Sequence, residues 1–461
     1  MASTLTDRDI PLRKITASWW PLAASWLLMG LEGPALAAVI ARLPDPKINL
    51  AAYGGIVFPL ALIIESPIIM LLAASTALSK DWASFARMRR YMMISSAFLT
   101  GLHILIVFTP LYDLLVGQII GAPQEILEPG RIGLMIMIPW TWSIAYRRFH
   151  QGVLIRFNHT RVVGVGTAVR LGTDCLVLAV GAGLAVGTGL GPIPYDLAGM
   201  FSGIAVATAA QACGVVSEAI YIGWAVRPVL RNELRFAPVA KPALTLRSFL
   251  IFYIPLALTS LLNLLANPIG SAALSRMPLA ISSLAVWPIV TGLSFMLRSM
   301  GIALNEVVVA MLDNPGSSRS LRRFSYYLAA ATTVGWLIIT ATPLAGLYFE
   351  KFTALPADLV DLAIIGAWIA LPLPALSVFQ SWYQGAILHS HKTRAITESV
   401  VIYLLTSALV LGLGVASGQV TGLYIGLWAT VLSVLSQTAW LWLRSRQAIR
   451  EVTLRDREMS E

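Results

Sequence analysis

Apolar stretches of about 20 residues alternate with short polar connections along the whole chain, and each is long enough to cross a hydrocarbon layer roughly 30 Å thick. They fall near 17–41, 50–79, 92–116, 132–155, 162–188, 196–225, 246–275, 281–312, 325–347, 359–388, 396–416 and 420–443. Lipid offers no partners to backbone N–H and C=O groups, so segments of this length predict helices, which pair those groups internally. The short alternating segments of a β-barrel do not occur. The pattern predicts an all-α polytopic membrane protein with twelve transmembrane helices.

The twelve segments are two copies of one unit. Residues 21–44 read PLAASWLLMGLEGPALAAVIARLP, and residues 255–278 read PLALTSLLNLLANPIGSAALSRMP. Pro21, Pro34, Arg42 and Pro44 meet Pro255, Pro268, Arg276 and Pro278 without a gap. Chance likeness between apolar sequences would match leucines and alanines, not four punctuating residues in register. A second echo pairs FHQGVLIRFNHTR (149–161) with WYQGAILHSHKTR (382–394). The expected organisation is a polar segment 1–16, an N-lobe of six helices at 17–225, a basic linker at 226–247, a C-lobe of six helices at 248–443 and a tail at 444–461. Six spans per half is an even number, so the two bundles enter the membrane from the same side and are related by an axis along its normal. Gly199/Gly203 and Gly422/Gly426, four apart at the start of the last helix in each half, predict close helix packing.

Charge orients this array. Connections after even-numbered spans hold Lys80, Arg87, Arg89 and Arg90; Arg156 and Arg161; Arg227, Arg231, Arg235 and Lys241; Arg319, Arg322 and Arg323; and Lys392 and Arg394. Arg8, Arg13 and Lys14 precede the first span, and Arg444, Arg446 and Arg450 follow the last. The other connections have almost no net positive charge. This alternation predicts a multi-pass protein of the plasma (cell inner) membrane with both termini cytoplasmic. Composition agrees: 57% of the 461 residues are hydrophobic and 12% charged, against about 25% charged in soluble domains. The net charge of +10 lies beside helix ends, where it sets topology and meets membrane lipids. It therefore does not imply nucleic acid. The first apolar run resembles a signal peptide, with Ala35-Leu36-Ala37 like a cleavage site; its mid-chain copy argues for a retained helix.

Ionisable groups at bilayer depth are costly and so are functional candidates. Glu32 lies beside Gly33-Pro34, where proline breaks the hydrogen-bond ladder. Glu65 precedes Ser66-Pro67 in the same way. Both are candidate cation-coupling sites. Glu65 aligns with Arg298, the candidate anchor for an anionic substrate because its planar fork is always charged. Arg170 and Asp174, four apart on one helix, are either a self-neutralising pair or cavity residues. Asn263 and Asn267 are candidate substrate ligands or helix glue. Glu218 and Glu306 are weaker candidates for a pathway. Arg147, Arg148 and His150 are explained by topology alone, and the repeated Gln151-Gly152 and Gln384-Gly385 by the fold. Cys175 and Cys213 read as small apolar residues. His389 and His391 have no further ligands for a metal. No phosphate-binding loop, nucleophile elbow or His/Asp constellation is present, so no enzyme, metal or cofactor is expected.

Two tandem six-helix halves, each with a proline near the start of its first helix, resemble the multidrug/oligosaccharidyl-lipid/polysaccharide exporter superfamily and its multidrug and toxin extrusion branch. The progressive ankylosis family is similar through Trp20-Pro21-Leu22, Glu32 ahead of Pro34-Ala35-Leu36, Tyr53-Gly54, Ile254-Pro255-Leu256-Ala257-Leu258 and Asn267-Pro268-Ile269 running on to Ser275-Arg276. Leu371-Pro372-Leu373-Pro374, Gly385 and His391-Lys392-Thr393 complete the likeness. The resemblance implies a V-shaped, twelve-helix alternating-access exporter with a central cavity between the lobes; a monomer is expected. It also implies organic anions such as citrate, nucleotide or pyrophosphate in the ankylosis branch, and organic cations in the extrusion branch. A first-helix carboxylate couples export to H+ or Na+ in extrusion transporters; Glu32 holds that place, with Glu where Asp is usual. The expected function is secondary active export of a small organic anion. Organic-cation extrusion, a lipid-linked saccharide flippase and a non-transporting scaffold are the alternatives.

Overall fold

The computed structural model describes residues 10–186, 202–239, 243–312, 314, 316–390 and 394–458. Arg8, Gly199, Lys241, His391, Lys392 and Thr393, singled out above, lie outside the described residues. The first half comprises α1 (Leu12–Ile40), α2 (Pro46–Ala52), α3 (Phe58–Ile69), α4 (Leu71–Leu78), α5 (Trp82–Phe108), α6 (Gln124–Ile136), α7 (Ile138–Arg156), α8 (Thr160–Val186) and α9 (Gly203–Ala225). The second comprises α10 (Leu246–Leu274), α11 (Ala280–Met311), α12 (Ser317–Ala341), α13 (Ala357–Ile369), α14 (Leu373–His389), α15 (Arg394–Ser417) and α16 (Gly422–Glu458).

Among the described residues, eleven helical segments are long and apolar enough to span a membrane. The fourth expected span, at 132–155, is the pair α6–α7, with Met137 between them and a proline, Pro139, in the first turn of α7. The second span is likewise composite: α2 runs through a π-helical turn at Tyr53–Val57 into α3, then through Met70 into α4. By contrast, Pro21 and Pro34 leave α1 a continuous helix, and Pro255 and Pro268 leave α10 one. The chain is an all-α, multi-pass membrane protein.

The chain divides into two compact units. One holds Val39–Arg276 with Ala280–Ala285; the other holds the chain up to Ala38, Met277–Leu279 and Val286 onward. Each unit therefore takes its first long helix from the other half of the sequence, whereas the repeat alone suggested boundaries at 17–225 and 248–443.

Local contacts inside each unit account for this exchange. On α1, Trp19 donates its indole N–H to the Met300 carbonyl of α11 at 2.9 Å. Its ring meets Phe324 of α12 edge-on, with centroids 5.7 Å apart. Pro34 lies so close to Gly292 of α11 that a β-carbon there would stand 3.4 Å from the proline ring. Ile15, Trp19 and Ala23 join Leu304, Val308, Leu321 and Trp382 in one buried cluster.

In the other unit, Phe249 of α10 stacks on Tyr91 of α5 at 4.7 Å, and Tyr253 donates its hydroxyl to the Pro67 carbonyl. The Arg276 guanidinium donates to the carbonyls of Ile119 and Ile120, at 2.6 Å for Ile119. There the chain turns through Gly121 at φ 71°. A side chain at Gly121 would be strained by that φ and would also stand 3.1 Å from the guanidinium carbon.

Gly152 and Gly385, the glycines of the repeated Gln-Gly pair, serve packing. A β-carbon at Gly152 would lie 2.6 Å from the Leu72 carbonyl oxygen of α4, and one at Gly385 2.6 Å from Val308 of α11. Gly203 packs on Ile40, whose carbonyl oxygen would lie 3.2 Å from its β-carbon.

Candidate functional site

Seven polar side chains from α3, α7, α8 and α9 lie within the first of these units. Glu218 of α9 is at their centre and is fully buried. Its Oε2 accepts from Arg147 Nη1 of α7 at 2.9 Å, and Arg170 Nε of α8 stands 4.0 Å from the same oxygen. Its Oε1 accepts from Gln151 Nε2 at 2.9 Å. Helical periodicity places Arg147 and Gln151 four apart on one face of α7, and Arg170 and Asp174 four apart on α8. The two stripes therefore present a matching set of donors and acceptors to α9.

Asp174 is buried against Gly214, one turn before Glu218 on α9. A β-carbon at Gly214 would lie 1.7 Å from Asp174 Oδ1 and 3.1 Å from Arg170 Cγ. Only glycine lets α8 bring this pair so close to α9. Arg148 lies within electrostatic reach of both Glu218 and Glu65 of α3, and Glu65 is 3% exposed. Taken as ionised, the set holds three guanidiniums (Arg147, Arg148, Arg170) and three carboxylates (Glu65, Asp174, Glu218). A buried charge is tolerable only when paired and hydrogen-bonded, and this set is balanced. Adding one proton, or one ion, unbalances it.

The structure brings together three of the residues expected from the sequence, Glu65, Arg170 and Asp174. Glu218, a weaker candidate, proves central. Arg147, Arg148 and Gln151 were assigned to topology and fold, and their part in the cluster was missed. The available signal was the four-residue spacing of Arg147 and Gln151, which puts both on one face of α7, where both are buried.

The other candidates lie elsewhere. Glu32 is half-buried on α1, in the other unit. Arg298 of α11 belongs to that unit too. Its Nε is buried without a hydrogen-bond partner among the described residues, and the neutral phenol of Tyr403 of α15 lies within electrostatic reach. Among the described residues Arg298 forms no ion pair. Asn263 of α10 is exposed, and Asn267 donates its amide to the Leu264 carbonyl of its own helix at 3.3 Å. Neither bonds to the cluster. Glu306 is exposed on α11.

No protein-family model and no curated protein matches this sequence. Solved structures do match in fold. An inward-facing multidrug resistance MATE family transporter of the MOP superfamily covers 97% of both chains at 13% identity and a TM-score of 0.62. The eukaryotic MATE transporter AtDTX14 covers 96% of this chain and 99% of its own at 13% identity and a TM-score of 0.59. A MOP superfamily transporter from Pyrococcus furiosus, described by a reversed polarity of its binding pocket, covers 98% and 99% at 17% identity and a TM-score of 0.58. The chain has the twelve-helix, all-α fold of MATE transporters over nearly its whole length.

Proposed function

We propose that this protein is a secondary active transporter that exports a small organic anion by alternating access, driven by protons. The observation that carries the reading is the near-complete match to MATE transporter folds, among them inward-facing and outward-facing forms of a multidrug resistance transporter.

Two features of this chain support the finer parts. For coupling, the balanced cluster of Glu65, Asp174 and Glu218 with three arginines favours H+ over Na+. A sodium ion would enter beside three guanidinium charges, whereas a proton neutralises a carboxylate and needs no coordination shell. Protonation frees an arginine from its partner, which gives the cluster two charge states to which helix packing can respond. Glu32, beside Pro34 on α1, is the second carboxylate we assign to coupling. For substrate, the half-buried Arg298 has a buried Nε and no carboxylate partner among the described residues, which suits an anion. Asn263 and Asn267 would supply neutral hydrogen bonds. The basic connections support cytoplasmic termini and a plasma membrane location, and we take the working unit as a monomer.

The test is uptake of labelled citrate and ATP into proteoliposomes under an imposed proton or sodium gradient. A proton gradient should drive anion flux in the wild type. Glu65→Gln should lose the gradient dependence, and Arg298→Ala should lose anion flux. Flux of an organic cation in place of the anion would favour the multidrug reading suggested by the structural neighbours and would remove Arg298 from the substrate site. No flux of either would overturn the transporter reading in favour of a flippase or scaffold.

A further inference from the structure

Outside the buried cluster, the second unit holds a cleft of about 390 Å³ between α12, α14 and α16. Arg322 and Tyr326 of α12, Tyr383 of α14, and Trp442, Arg446 and Arg450 of α16 line it. Trp442, Arg446 and Arg450 recur every four residues, so they form one stripe along α16. The Arg446 guanidinium lies over the Trp442 ring, 3.8 Å from its centroid.

The cations in this cleft lack the carboxylate contacts that several of their neighbours have. Arg394 and Arg444 both pair with Glu398. Arg455 pairs with Asp456. Arg323 donates to the Tyr327 hydroxyl at 2.8 Å. Arg322, Arg446 and Arg450 have no carboxylate partner among the described residues. The nearest acidic position in sequence, Glu451, accepts instead from Gln447 at 2.8 Å. Like charges four apart on one helix face repel, and here a third cation faces them from α12. An anion in the cleft would relieve that repulsion.

The position favours a phosphate group at a membrane surface. With 37 residues, α16 is about 55 Å long at 1.5 Å per residue, well beyond a hydrocarbon layer of roughly 30 Å. Trp442 to Arg450 follow its apolar stretch, while Arg322 lies in the first turns of α12. Both are where helices leave the apolar zone and where tryptophan and tyrosine gather. Guanidinium forks match phosphate oxygens geometrically, and aromatic walls suit the glycerol and first methylenes of a lipid. We infer that this cleft binds a phosphate ester through Arg322, Arg446 and Arg450, as the headgroup of an anionic phospholipid. This inference rests on the second unit alone and does not depend on the transport reading.

Native mass spectrometry of the full chain in detergent tests it, with dioctanoyl phosphatidylglycerol, dioctanoyl phosphatidylcholine and free glycerol phosphate as probes. Phosphatidylglycerol should bind one saturable site at least tenfold more tightly than phosphatidylcholine. Arg446→Gln and Arg450→Gln should each weaken that binding about tenfold, and the triple variant with Arg322→Gln more than thirtyfold. Arg319→Gln/Arg323→Gln, which removes two nearby charges outside the cleft, should change it less than twofold. If glycerol phosphate binds as tightly and competes, the phosphate site stands and its source is a soluble ester. Equal binding of both lipids, wild-type affinity in the triple variant, or an equal loss in the 319/323 control would overturn the site. Should the triple variant fail to elute as a folded species, the two single variants decide the matter alone.

Discussion

Replacing Glu218 with glutamine keeps its volume and leaves an acceptor for Gln151, but it removes the negative charge that Arg147 faces at 2.9 Å. At that separation and an effective dielectric of about 20, the lost attraction is roughly 6 kcal/mol. Part of it is offset, because glutamine still accepts a hydrogen bond and Asp174 and Glu65 remain in the cluster. Measured costs of breaking a buried pair run at about 3–5 kcal/mol, and Glu218→Gln should fall in that range. The cost comes from the stranded guanidinium, since the Arg147 side chain is only 7% exposed. Replacing both partners, Glu218→Gln with Arg147→Met, should therefore recover at least half of the loss. The assay is reversible unfolding of the purified protein in mixed micelles, followed by circular dichroism across a denaturing-detergent titration. A single variant that costs less than about 1 kcal/mol would refute the pairing. A double variant no more stable than the single one would refute the stranded-charge explanation.

Other consequences can be checked in the same preparation. Gly214→Ala drives a methyl group into Asp174 Oδ1 and should cost about 1–3 kcal/mol as an overpacked site, read as a lower melting temperature; an unchanged melt would place Asp174 away from α9. Trp19→Phe removes the hydrogen bond to the Met300 carbonyl while keeping an aromatic ring, and should cost about 1 kcal/mol; no loss would argue against α1 packing on α11. Tyr253→Phe should cost a similar amount by releasing the Pro67 carbonyl, again measured by unfolding. A cysteine pair at Gly30 and Met296, where a β-carbon on Gly30 would stand 3.6 Å from the Met296 α-carbon, should crosslink on mild oxidation, whereas failure to crosslink would contradict the assignment of α1 to the unit that begins again at Val286.

Much of this protein was legible without coordinates, because a bilayer imposes few choices. Twenty apolar residues in lipid must be a helix, so the all-α, multi-pass character follows from the lengths of the apolar runs. Glu65, Arg170 and Asp174 could be picked out because an ionisable group at bilayer depth is rare enough to stand out singly. What stayed hidden depends on which helices touch. The rule that puts arginines at cytoplasmic helix ends also accounts for Arg147 and Arg148, so the sequence offered no reason to bury them, and only the approach of α9 supplies Glu218 as a partner. Gly214 is one small residue among many until Asp174 fills its place. The exchange of α1 and α10 between units has the same character. A repeat shows that two segments are alike, but an indole N–H and a phenol hydroxyl find their carbonyls on whichever neighbour packing supplies. Sequence fixes the period, length and charge of each helix, all local quantities; the pairing of helices across hundreds of residues is decided by fit, and only the tertiary structure contains that.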